Sequence, residues 1–441
     1  MEAFEGHWET LRGSRERKVN VFAPNPSTRW DNIPRYFFAE VDGLDMKLDE
    51  DVYLQHIQNL YYDNTGQERH PLHILDDISL IPKNTVKNLR ESTKVILDSS
   101  GDGVWDLQLL LYVEEIFGLL DIDVSKIWYL TDAMNSQKLY EKILGKKSNI
   151  NFIEDINILL VSTFISHFKQ KDWLKWKSIA INFEKRDKKF IFLNRYPKID
   201  RALALSMLHK NNLLDSGYWS CVDKINYWFD TLHIQDRCIS ATVEYKWKWL
   251  ESLGDKKVKE LLDYFKSIDI SGTEIRTVKE PAVMHMPELY DNSYFHFLGE
   301  SYIGYPFEYT RYKENNIDDS ILQSFSEKIC KPLFYKQPFI AHGRSGLYKL
   351  IKSLGFETYD DIVDESFDTE TNTVKRSYKF AKECYNIASM PIDDLHEYYI
   401  NNTDKIIHNK QLFVEKISID ARKKLIENIL NKIGIGYKYE H

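Results

Sequence analysis

Short apolar runs alternate with longer amphipathic segments along this chain, and the alternation constrains the fold more than any other feature. Residues 94–98 are typical of a buried strand, residues 99–103 of a turn rich in Ser, Gly and Asp, and residues 104–120 of an apolar helix. Residues 127–130 predict a second strand, and a helix follows that extends through residue 144. Elements in this order predict a parallel, Rossmann-like sheet.

The same alternation continues further along the chain. The apolar run at residues 156–161 is expected to add a strand to the first sheet. A second unit begins near residue 189, with a strand at residues 190–193 and a helix at residues 199–211. Further predicted elements are aromatic helices between residues 223 and 268, strands at 295–298 and 339–341, and helices at 374–389, 393–401 and 418–433.

The length of the chain predicts more than one domain. Its 441 residues exceed what one hydrophobic core normally supports, and 43% hydrophobic residues are enough for sizeable cores. We predict an α/β protein with one Rossmann-like domain at residues 1–180 and a second at residues 181–390. Residues 391–441 are expected to form C-terminal helices that pack on the two domains or bridge them.

Charge, hydropathy and cysteine usage exclude several classes of protein. The net charge of −8 comes from interspersed Lys, Asp and Glu, which argues against a general polyanion-binding protein but allows a local basic cleft. No run approaches the roughly 20 apolar residues of a membrane helix, and the N-terminal residues are too polar for a secretory signal. We therefore predict a cytoplasmic protein without a membrane span. Neither a zinc site nor a disulfide framework is indicated, because no CxxC pairing links Cys221, Cys238, Cys330 and Cys384.

One region combines strand ends with the start of a helix. The strand-like run at residues 294–298 ends on Gly299-Glu300-Ser301, and Ser326-Glu327-Lys328 later opens an amphipathic segment. That segment leads into a short apolar strand, residues 338–341, and the turn at residues 342–346. Helix N-terminal amides favour anions, so this order predicts an anion-binding edge.

The same region carries a family resemblance. Its order resembles the donor-binding half of GT-B glycosyltransferases, especially the α1,3-fucosyltransferases, whose pattern is Phe-Glu-Asn, then Thr-Glu-Lys, then a Pro-containing strand. It also resembles phage and giant-virus proteins of this type, which continue with segments like Leu354-Gly-Phe356 and Asp364-Glu-Ser-Phe-Asp368. The resemblance covers residues 189–368. Ser326 stands where the fucosyltransferases have Thr, and Ser301 stands where they have Asn.

The resemblance implies a fold and a reaction. It implies two Rossmann-like domains that face a cleft, with the donor on the second domain and the acceptor on the first. The implied activity is glycosyl transfer, hexosyl or pentosyl, from a nucleotide diphosphate sugar to the hydroxyl group of a glycan or another acceptor. No metal ion or cofactor would be required if cations hold the departing diphosphate. A chain of viral origin would act in the host cytoplasm.

The resemblance also implies roles for individual residues. Glu327 would accept hydrogen bonds from the nucleotide ribose, and Lys328 would neutralise the diphosphate. Arg201 resembles a second phosphate cation, with Arg195 as its rival, and Glu300 would contact the donor sugar or nucleotide. The predicted donor-binding set is Ser326, Glu327, Lys328, Arg201, Arg195 and Glu300.

Each of these assignments has a structural alternative. Glu327 and Lys328 also suit an ordinary charged first turn of a helix. Arg201 also suits an ion pair with Asp200 or Asp215 on a solvated face. The turn at residues 342–346 also suits a plain connection in which Ser345 caps the next helix.

The base that deprotonates the acceptor hydroxyl is expected in the first domain. Asp98, Asp102 and Asp132 all follow predicted strands at the carboxyl edge, and Asp102 is our first candidate. Asp-rich turns are also common structural features. The pair Asp121-x-Asp123 resembles the metal-binding DxD motif of GT-A enzymes, but it precedes a strand, so a surface turn is the predicted role.

Two further functions stay open at this point. A phage-type DNA glycosyltransferase that acts on hydroxymethylated bases would use residues 169–188, which are rich in Lys and Trp, as a nucleic-acid contact. A glycan acceptor fits the acidic net charge better. A non-catalytic binding protein on a transferase fold is the alternative from another class. The sequence does not distinguish the sugar, the nucleotide, the stereochemical course or the oligomeric state.

Overall fold

The structure of the protein is a computed structural model that describes most of the second half of the chain and parts of the first. The described residues are 19–21, 45–48, 52–56, 74–75, 77–99, 103–161, 180–194, 199–221, 256–268, 287–300 and 321–440. The chain divides into two compact units: unit 1 comprises residues 1–132, 146–162 and 418–441, and unit 2 comprises residues 133–145 and 163–417. The functional division predicted near residues 180 and 390 stays a prediction.

Strands and helices are numbered here in chain order. The strands are β1 (Val19–Val21), β2 (Asp45–Leu48), β3 (Val52–His56), β4 (Lys94–Ser99), β5 (Ile127–Thr131), β6 (Asn151–Glu154), β7 (Lys188–Asn194), β8 (Gly217–Cys221), β9 (Ser293–Gly299), β10 (Phe339–His342) and β11 (Tyr437–Glu440). The helices are α1 (Lys83–Glu91), α2 (Gly103–Leu119), α3 (Ser136–Leu144), α4 (Ile199–Lys210), α5 (Lys256–Ser267), α6 (Pro287–Asp291), α7 (Glu327–Tyr335), α8 (Leu347–Ser353), α9 (Thr373–Ser389), α10 (Ile392–Asn401), α11 (Thr403–Lys416) and α12 (Ile419–Ile433).

The described residues of unit 1 form a five-stranded parallel sheet. Its strand order is β1-β3-β4-β5-β6, and every pairing is parallel. In β4, residues 95–99 are all buried, as expected for a strand in a parallel sheet that is covered on both faces. The strands predicted at residues 94–98 and 127–130 are confirmed, and so is their parallel arrangement.

The strand predicted at residues 156–161 is wrong. Strand β6 ends at Glu154, and residues 157–161 are helical. Asp155 Oδ1 accepts a hydrogen bond from the Asn157 amide N–H at 2.9 Å, which satisfies a helix-start donor. A run of six apolar residues fits a buried strand and a buried helix equally well, so its periodicity did not separate them.

The last helix and strand belong to unit 1. Lys94 Nζ donates to the carbonyl groups of Ile433 at 2.7 Å and Gly434 at 2.8 Å, at the C-terminal end of α12. Strand β11 pairs with β2 in antiparallel register. Helices α10 and α11 belong instead to unit 2.

A four-stranded parallel sheet is formed by the part of unit 2 that the structure describes. Its order is β10-β9-β7-β8, and all three pairings are parallel. The rings of Phe190 and Phe297, from neighbouring strands, stack with centroids 4.7 Å apart. The predicted strands at residues 190–193, 295–298 and 339–341 are confirmed. Strand β8 was not predicted.

Helices pack around this second sheet. Helix α9 contacts α4, β7 and β10, and α7 packs against α11 and β9. The aromatic helices predicted between residues 223 and 268 are described only from residue 256 onward, as α5. The architecture is thus α/β with two parallel sheets, as a Rossmann-like arrangement requires. In the part of the chain that the structure describes, no helix is both long enough and apolar enough to cross a membrane.

Candidate functional site

Polar residues gather where the parallel strands of unit 2 end. Strands β7, β9 and β10 finish at Asn194, Gly299 and His342, and Glu300 follows β9 directly. The Glu300 amide N–H donates to the His342 carbonyl at 2.8 Å, which extends the pairing of β9 and β10 by one bond. Ligands of open α/β sheets bind outside such carboxyl ends.

Helix α7 begins at this edge of the sheet. Ser326 is its N-cap, and Ser326 Oγ accepts from the Lys328 amide N–H at 3.4 Å. Glu300 Oε2 accepts from the Ser326 amide N–H at 3.0 Å and also from the Ser326 hydroxyl group. Lys328 Nζ donates to Ser326 Oγ at 3.1 Å. The structure therefore brings three predicted donor-site residues together at the start of one helix, while Glu327 is the first residue of that helix and its side chain lies outside the described parts.

Arg201 lies at the same edge, in the first turn of α4. Its Nη2 donates to the Gly299 carbonyl at 2.6 Å and approaches the Glu300 carbonyl at 3.4 Å. Only 4% of the residue is exposed. The alternative of a solvated Arg201 is therefore wrong, whereas its predicted rival Arg195 lies outside the described residues.

Because Gly299 has no side chain, the side chains of Asp200 and Arg201 can pack against its backbone. A Cβ atom at this position would lie 2.3 Å from Asp200 Oδ2 and 2.8 Å from Arg201 Nε, and both distances are shorter than real Cβ contacts. A larger residue would have to displace both side chains. The glycine of the Gly-Glu-Ser motif is thus explained by packing and not by a special backbone conformation.

A buried chain of polar groups extends from Asp200. Asp200 Oδ2 lies 3.4 Å from His342 Nδ1, and His342 Nε2 lies 3.3 Å from Ser377 Oγ in α9. All three side chains are fully buried. Burial lowers the pKa of His342, and the neighbouring Asp200 carboxylate opposes that shift. Sequence reasoning missed His342, although the turn that begins with it had been singled out.

Residues of α9 and of the segment before it hold the turn after β10. Arg376 Nε donates to the Gly343 carbonyl at 2.9 Å. The Asp368 carboxylate accepts from the amide N–H groups of Leu347 and Tyr348, each at 3.0 Å. The prediction that Ser345 caps α8 is wrong, because its hydroxyl group donates to the Asp368 carbonyl at 3.0 Å while the Asp368 carboxylate takes the capping role.

Charges of both signs are buried around this edge. The cations are Arg201, Arg344 and Arg376, and the carboxylates are Asp200, Glu300 and Asp368. Buried charges of this kind are stable only when hydrogen bonds and opposite charges compensate them. Arg344 and Arg376 were not among the predicted site residues: Arg344 lies in the turn at residues 342–346, for which only a connecting role was predicted, and Arg376 lies outside the region that suggested the site.

The predicted base candidates lie in unit 1. Asp98 is in β4 and Asp132 follows β5; both are buried, with 0% and 2% exposure. They lie at the carboxyl edge of the first sheet, where Tyr129 also donates its hydroxyl group to Ser99 Oγ at 2.9 Å. Asp102, our first candidate, lies outside the described residues.

The Asp121-x-Asp123 pair is a surface turn, as predicted. Both residues are exposed, Asp121 has a positive φ of 54°, and Asp123 Oδ1 accepts from the Ser125 amide N–H at 2.9 Å. Residues 169–179, the larger part of the predicted nucleic-acid contact, lie outside the described residues.

Among the described residues, no group of three or more His, Cys, Asp or Glu side chains is arranged to hold a metal ion. Cys221, Cys330 and Cys384 are buried and are not joined in disulfide bonds.

Comparison with known proteins gives no match to a family model, a curated protein or a solved structure. The resemblance to GT-B glycosyltransferases therefore stays a hypothesis that rests on the motif residues.

Proposed function

We propose that the protein is a glycosyltransferase that moves a sugar from a nucleotide diphosphate sugar to an acceptor hydroxyl group. The observation that supports this most is the convergence of Glu300, Ser326, Lys328 and Arg201 at the carboxyl edge of the second parallel sheet. These residues come from three elements that are far apart in sequence. Motif residues chosen for donor binding thus share one edge, which an accidental sequence match would not require.

The chemistry of the donor suits this edge. When the glycosidic bond to the diphosphate breaks, negative charge develops on the departing oxygen, and cations that hold it more strongly as it leaves lower the barrier. Lys328 and Arg201 would supply that charge, and the N-terminus of α7 would add its amide dipoles. Glu327 would accept from the ribose hydroxyl groups. The proposed reaction needs no metal ion or cofactor for charge neutralisation.

The acceptor base is assigned to the other unit. In an inverting transfer, a base takes the hydroxyl proton while the oxygen attacks the sugar carbon, and a carboxylate can serve as that base. Asp98 and Asp132 are the described candidates, because Asp98 lies near the end of β4 and Asp132 follows the neighbouring strand β5. Asp102 remains a candidate from sequence. A glycan or another hydroxyl-bearing molecule is the proposed acceptor.

Donor binding is tested by a thermal-shift panel of GDP, UDP, CMP and ADP. A ligand at a concentration of about 100 times its dissociation constant stabilises the native protein by about 2.7 kcal/mol. We expect one nucleoside diphosphate to raise the Tm of the wild type, and Glu327→Ala or Lys328→Ala to reduce the shift strongly. Lys349→Ala is the matched control, because Lys349 is exposed on α8. No response to any nucleotide would contradict the proposal.

Turnover is tested separately from binding. We expect Asp98→Asn or Asp132→Asn to lower the rate of sugar transfer by roughly 10²–10⁴-fold while the nucleotide shift is retained. Asp121→Asn is the control, because Asn tolerates the positive φ of this exposed position. If both buried variants keep full activity, the base lies elsewhere.

A second candidate is a protein that binds the nucleotide but does not transfer the sugar. It is favoured by one observation: Glu300 Oε2 and Arg201 Nη2 form internal hydrogen bonds that hold the strand ends and helix starts together. Such contacts have a structural role whether or not a ligand is present. A nucleotide-dependent Tm shift without transfer or donor hydrolysis would support this candidate.

A further inference from the structure

Asp200 and Arg201 are consecutive residues in the first turn of α4, and their side chains contact different strands. Asp200 Oδ2 lies 3.4 Å from His342 Nδ1 at the end of β10, whereas Arg201 Nη2 donates to the Gly299 carbonyl at the end of β9. All of these residues are buried. The start of α4 is therefore fixed against two neighbouring strands at once.

Gly299 is the point where the two side chains meet the sheet. Its missing Cβ would lie 2.3 Å from Asp200 Oδ2, 2.8 Å from Arg201 Nε and 3.0 Å from Arg201 Cγ. The two charged groups therefore pack directly over the backbone of β9. Any side chain at residue 299 would move the guanidinium group away from the carbonyl that it contacts.

His342 has a defined environment on both sides of its ring. Nδ1 faces the Asp200 carboxylate, and Nε2 lies 3.3 Å from the hydroxyl group of Ser377, which is itself within 2.8 Å of the Thr373 carbonyl. A neutral ring with its proton on Nδ1 directs this N–H toward the Asp200 carboxylate across 3.4 Å. Its unprotonated Nε2 then faces the Ser377 hydroxyl group, which also donates to the Thr373 carbonyl. The ring thus supplies Asp200 with a donor that has a fixed position.

Charged groups from several elements face this ring. Asp200 and Arg201 come from α4, and Arg376 comes from α9. Burial lowers the pKa of His342, the Asp200 carboxylate opposes this shift, and the two guanidinium groups lower the pKa further. The Phe380 ring lies beside it, with centroids 5.1 Å apart. A neutral imidazole is the form that fits a fully buried site next to two cations.

We propose that Asp200 and His342 are positioning residues that hold the guanidinium group of Arg201 at the carboxyl end of β9, with Gly299 providing the space. The importance of this position for anion binding rests on the proposed function. The positioning itself is a property of the free protein. It therefore has a readout that does not depend on any ligand.

Two substitutions of His342 separate positioning from general stability. His342→Asn retains a donor near the place of Nδ1 and so retains the contact with Asp200. His342→Gln places its donor near Nε2 and retains only the side that faces Ser377. Gly299→Ala displaces Arg201 directly, and Ser377→Ala removes only the distal contact and serves as the structural control.

The first readout is the NMR signal of the Arg201 Nε–H group, assigned by its loss in Arg201→Lys. We expect this signal to shift or broaden in His342→Gln and Gly299→Ala and to remain in place in His342→Asn and Ser377→Ala. The ¹⁵N shifts of His342 should show a protonated Nδ1 and an unprotonated Nε2. An unchanged Arg201 signal in both His342→Gln and Gly299→Ala would overturn the proposal.

The second readout is the affinity for inorganic pyrophosphate, measured by calorimetry. Loss of one well-placed charged contact is expected to weaken binding by about tenfold or more in His342→Gln and Gly299→Ala, and by less than about threefold in the other two variants. Equal weakening in all four, in proportion to their Tm, would show a structural role only and overturn the proposal. A wild type that binds neither pyrophosphate nor nucleotide contradicts the proposed function, while the Arg201 signal still decides the positioning.

Discussion

Glu300 accepts two hydrogen bonds from Ser326 through one carboxylate oxygen. The amide N–H of Ser326 lies 3.0 Å from Glu300 Oε2, and the hydroxyl group donates to the same atom. These bonds join the end of β9 to the start of α7 across 26 positions of sequence. Because Glu300 is buried and carries a negative charge at a helix N-terminus, the contact combines a charge-assisted hydrogen bond with a favourable dipole interaction.

Removal of either partner should destabilise unit 2. We expect Glu300→Gln and Ser326→Ala each to lower the free energy of unfolding by about 1–3 kcal/mol, since Gln removes the charge of the acceptor and Ala removes the hydroxyl donor. The double variant should cost less than the sum, with a coupling of about 0.5–3 kcal/mol. Urea unfolding of the wild type, the two single variants and the double variant measures this coupling as a double-mutant cycle. Strictly additive losses would show that the two residues do not interact.

The sequence predicted the sheets because buried parallel strands have a strong local signal. Residues 94–98 and 190–193 are short apolar runs, and both form strands. Strand β8 was missed because it is the outer strand of its sheet and its middle residues, Tyr218, Trp219 and Ser220, are only half-buried. An edge strand of this kind has no continuous apolar run to detect.

The candidate site was predictable only where a linear motif marked it. Ser326 and Lys328 are two residues apart, and Glu300 ends a recognisable strand, so their common location followed from the strand and helix assignments. The contact between Asp200 and His342 joins a helix, α4, to a strand, β10, and no sequence motif links these two elements. Asp368 likewise caps a helix about 20 positions upstream, and local capping rules do not detect such a partner.

Asp368 should make the stability of the protein depend on pH. Burial raises the pKa of its carboxyl group to about 6 from an ordinary value of 3.8, despite hydrogen bonds from Leu347 and Tyr348. Between about pH 4 and pH 6 the unfolded chain has lost this proton while the folded protein retains it, so stability falls as pH rises through that window. The loss is expected to be on the order of 2–3 kcal/mol and to be complete above about pH 6.

Asp368→Asn should remove this dependence. The amide stays neutral, so we expect the stability of the variant to be flat from pH 4 to pH 7. Its level should be lowered by about 1–3 kcal/mol, because Nδ2 cannot accept one of the two amide N–H bonds that the carboxylate accepts. Asp360→Asn is the control with the opposite sign, because a hydrogen bond from Lys352 lowers the pKa of that carboxyl group. The free energy of unfolding, measured from pH 4 to pH 7 for the wild type and both variants, tests these two expectations. If the free energy of unfolding changes with pH in the same way for the wild type and for Asp368→Asn, Asp368 is not the source of the pH dependence.

Lys410 is a buried amine that should cost stability at neutral and acidic pH. Its Nζ lies 3.6 Å from the centroid of the Phe334 ring, and only 1% of the residue is exposed. Burial, with a smaller contribution from Lys336, lowers its pKa to about 7. As pH falls from about 10.5 to 7, the unfolded chain takes up the proton first, so stability declines across that window and levels off below it.

Lys410→Met should therefore stabilise the protein in a pH-dependent way. Met keeps the length of the side chain without the charge, and the gain at pH 6 is expected to be on the order of 2–5 kcal/mol before the lost cation–π contact is subtracted. The gain should shrink as the pH approaches 10. Lys405→Met, on the same helix but paired with Asp361 at the surface, should change stability by less than about 1 kcal/mol. A gain that is equal at pH 6 and pH 10 would contradict the buried-charge explanation.

Two glycines should respond in opposite directions to the same substitution. A Cβ at Gly217 in β8 would lie 2.3 Å from Phe190 Cε2, and Phe190 is fully buried beneath its stack with Phe297. Gly217→Ala should therefore overpack this core and lower the free energy of unfolding by about 1–3 kcal/mol. A Cβ at Gly118, an exposed position in α2, would contact nothing within 4 Å. Gly118→Ala should accordingly stabilise the helix by about 0.5–1 kcal/mol.

The ring of Phe190 provides the internal test. If the clash with this ring causes the loss, Gly217→Ala should cost less in a Phe190→Leu background than in the wild type, since the smaller side chain leaves room for the added methyl group. Thermal unfolding of the single and double variants measures the difference. If Gly217→Ala lowers the free energy of unfolding equally in both backgrounds, the loss comes from the backbone of β8 and not from Phe190. The ring atoms that the added Cβ approaches would then be absent in one background without any effect.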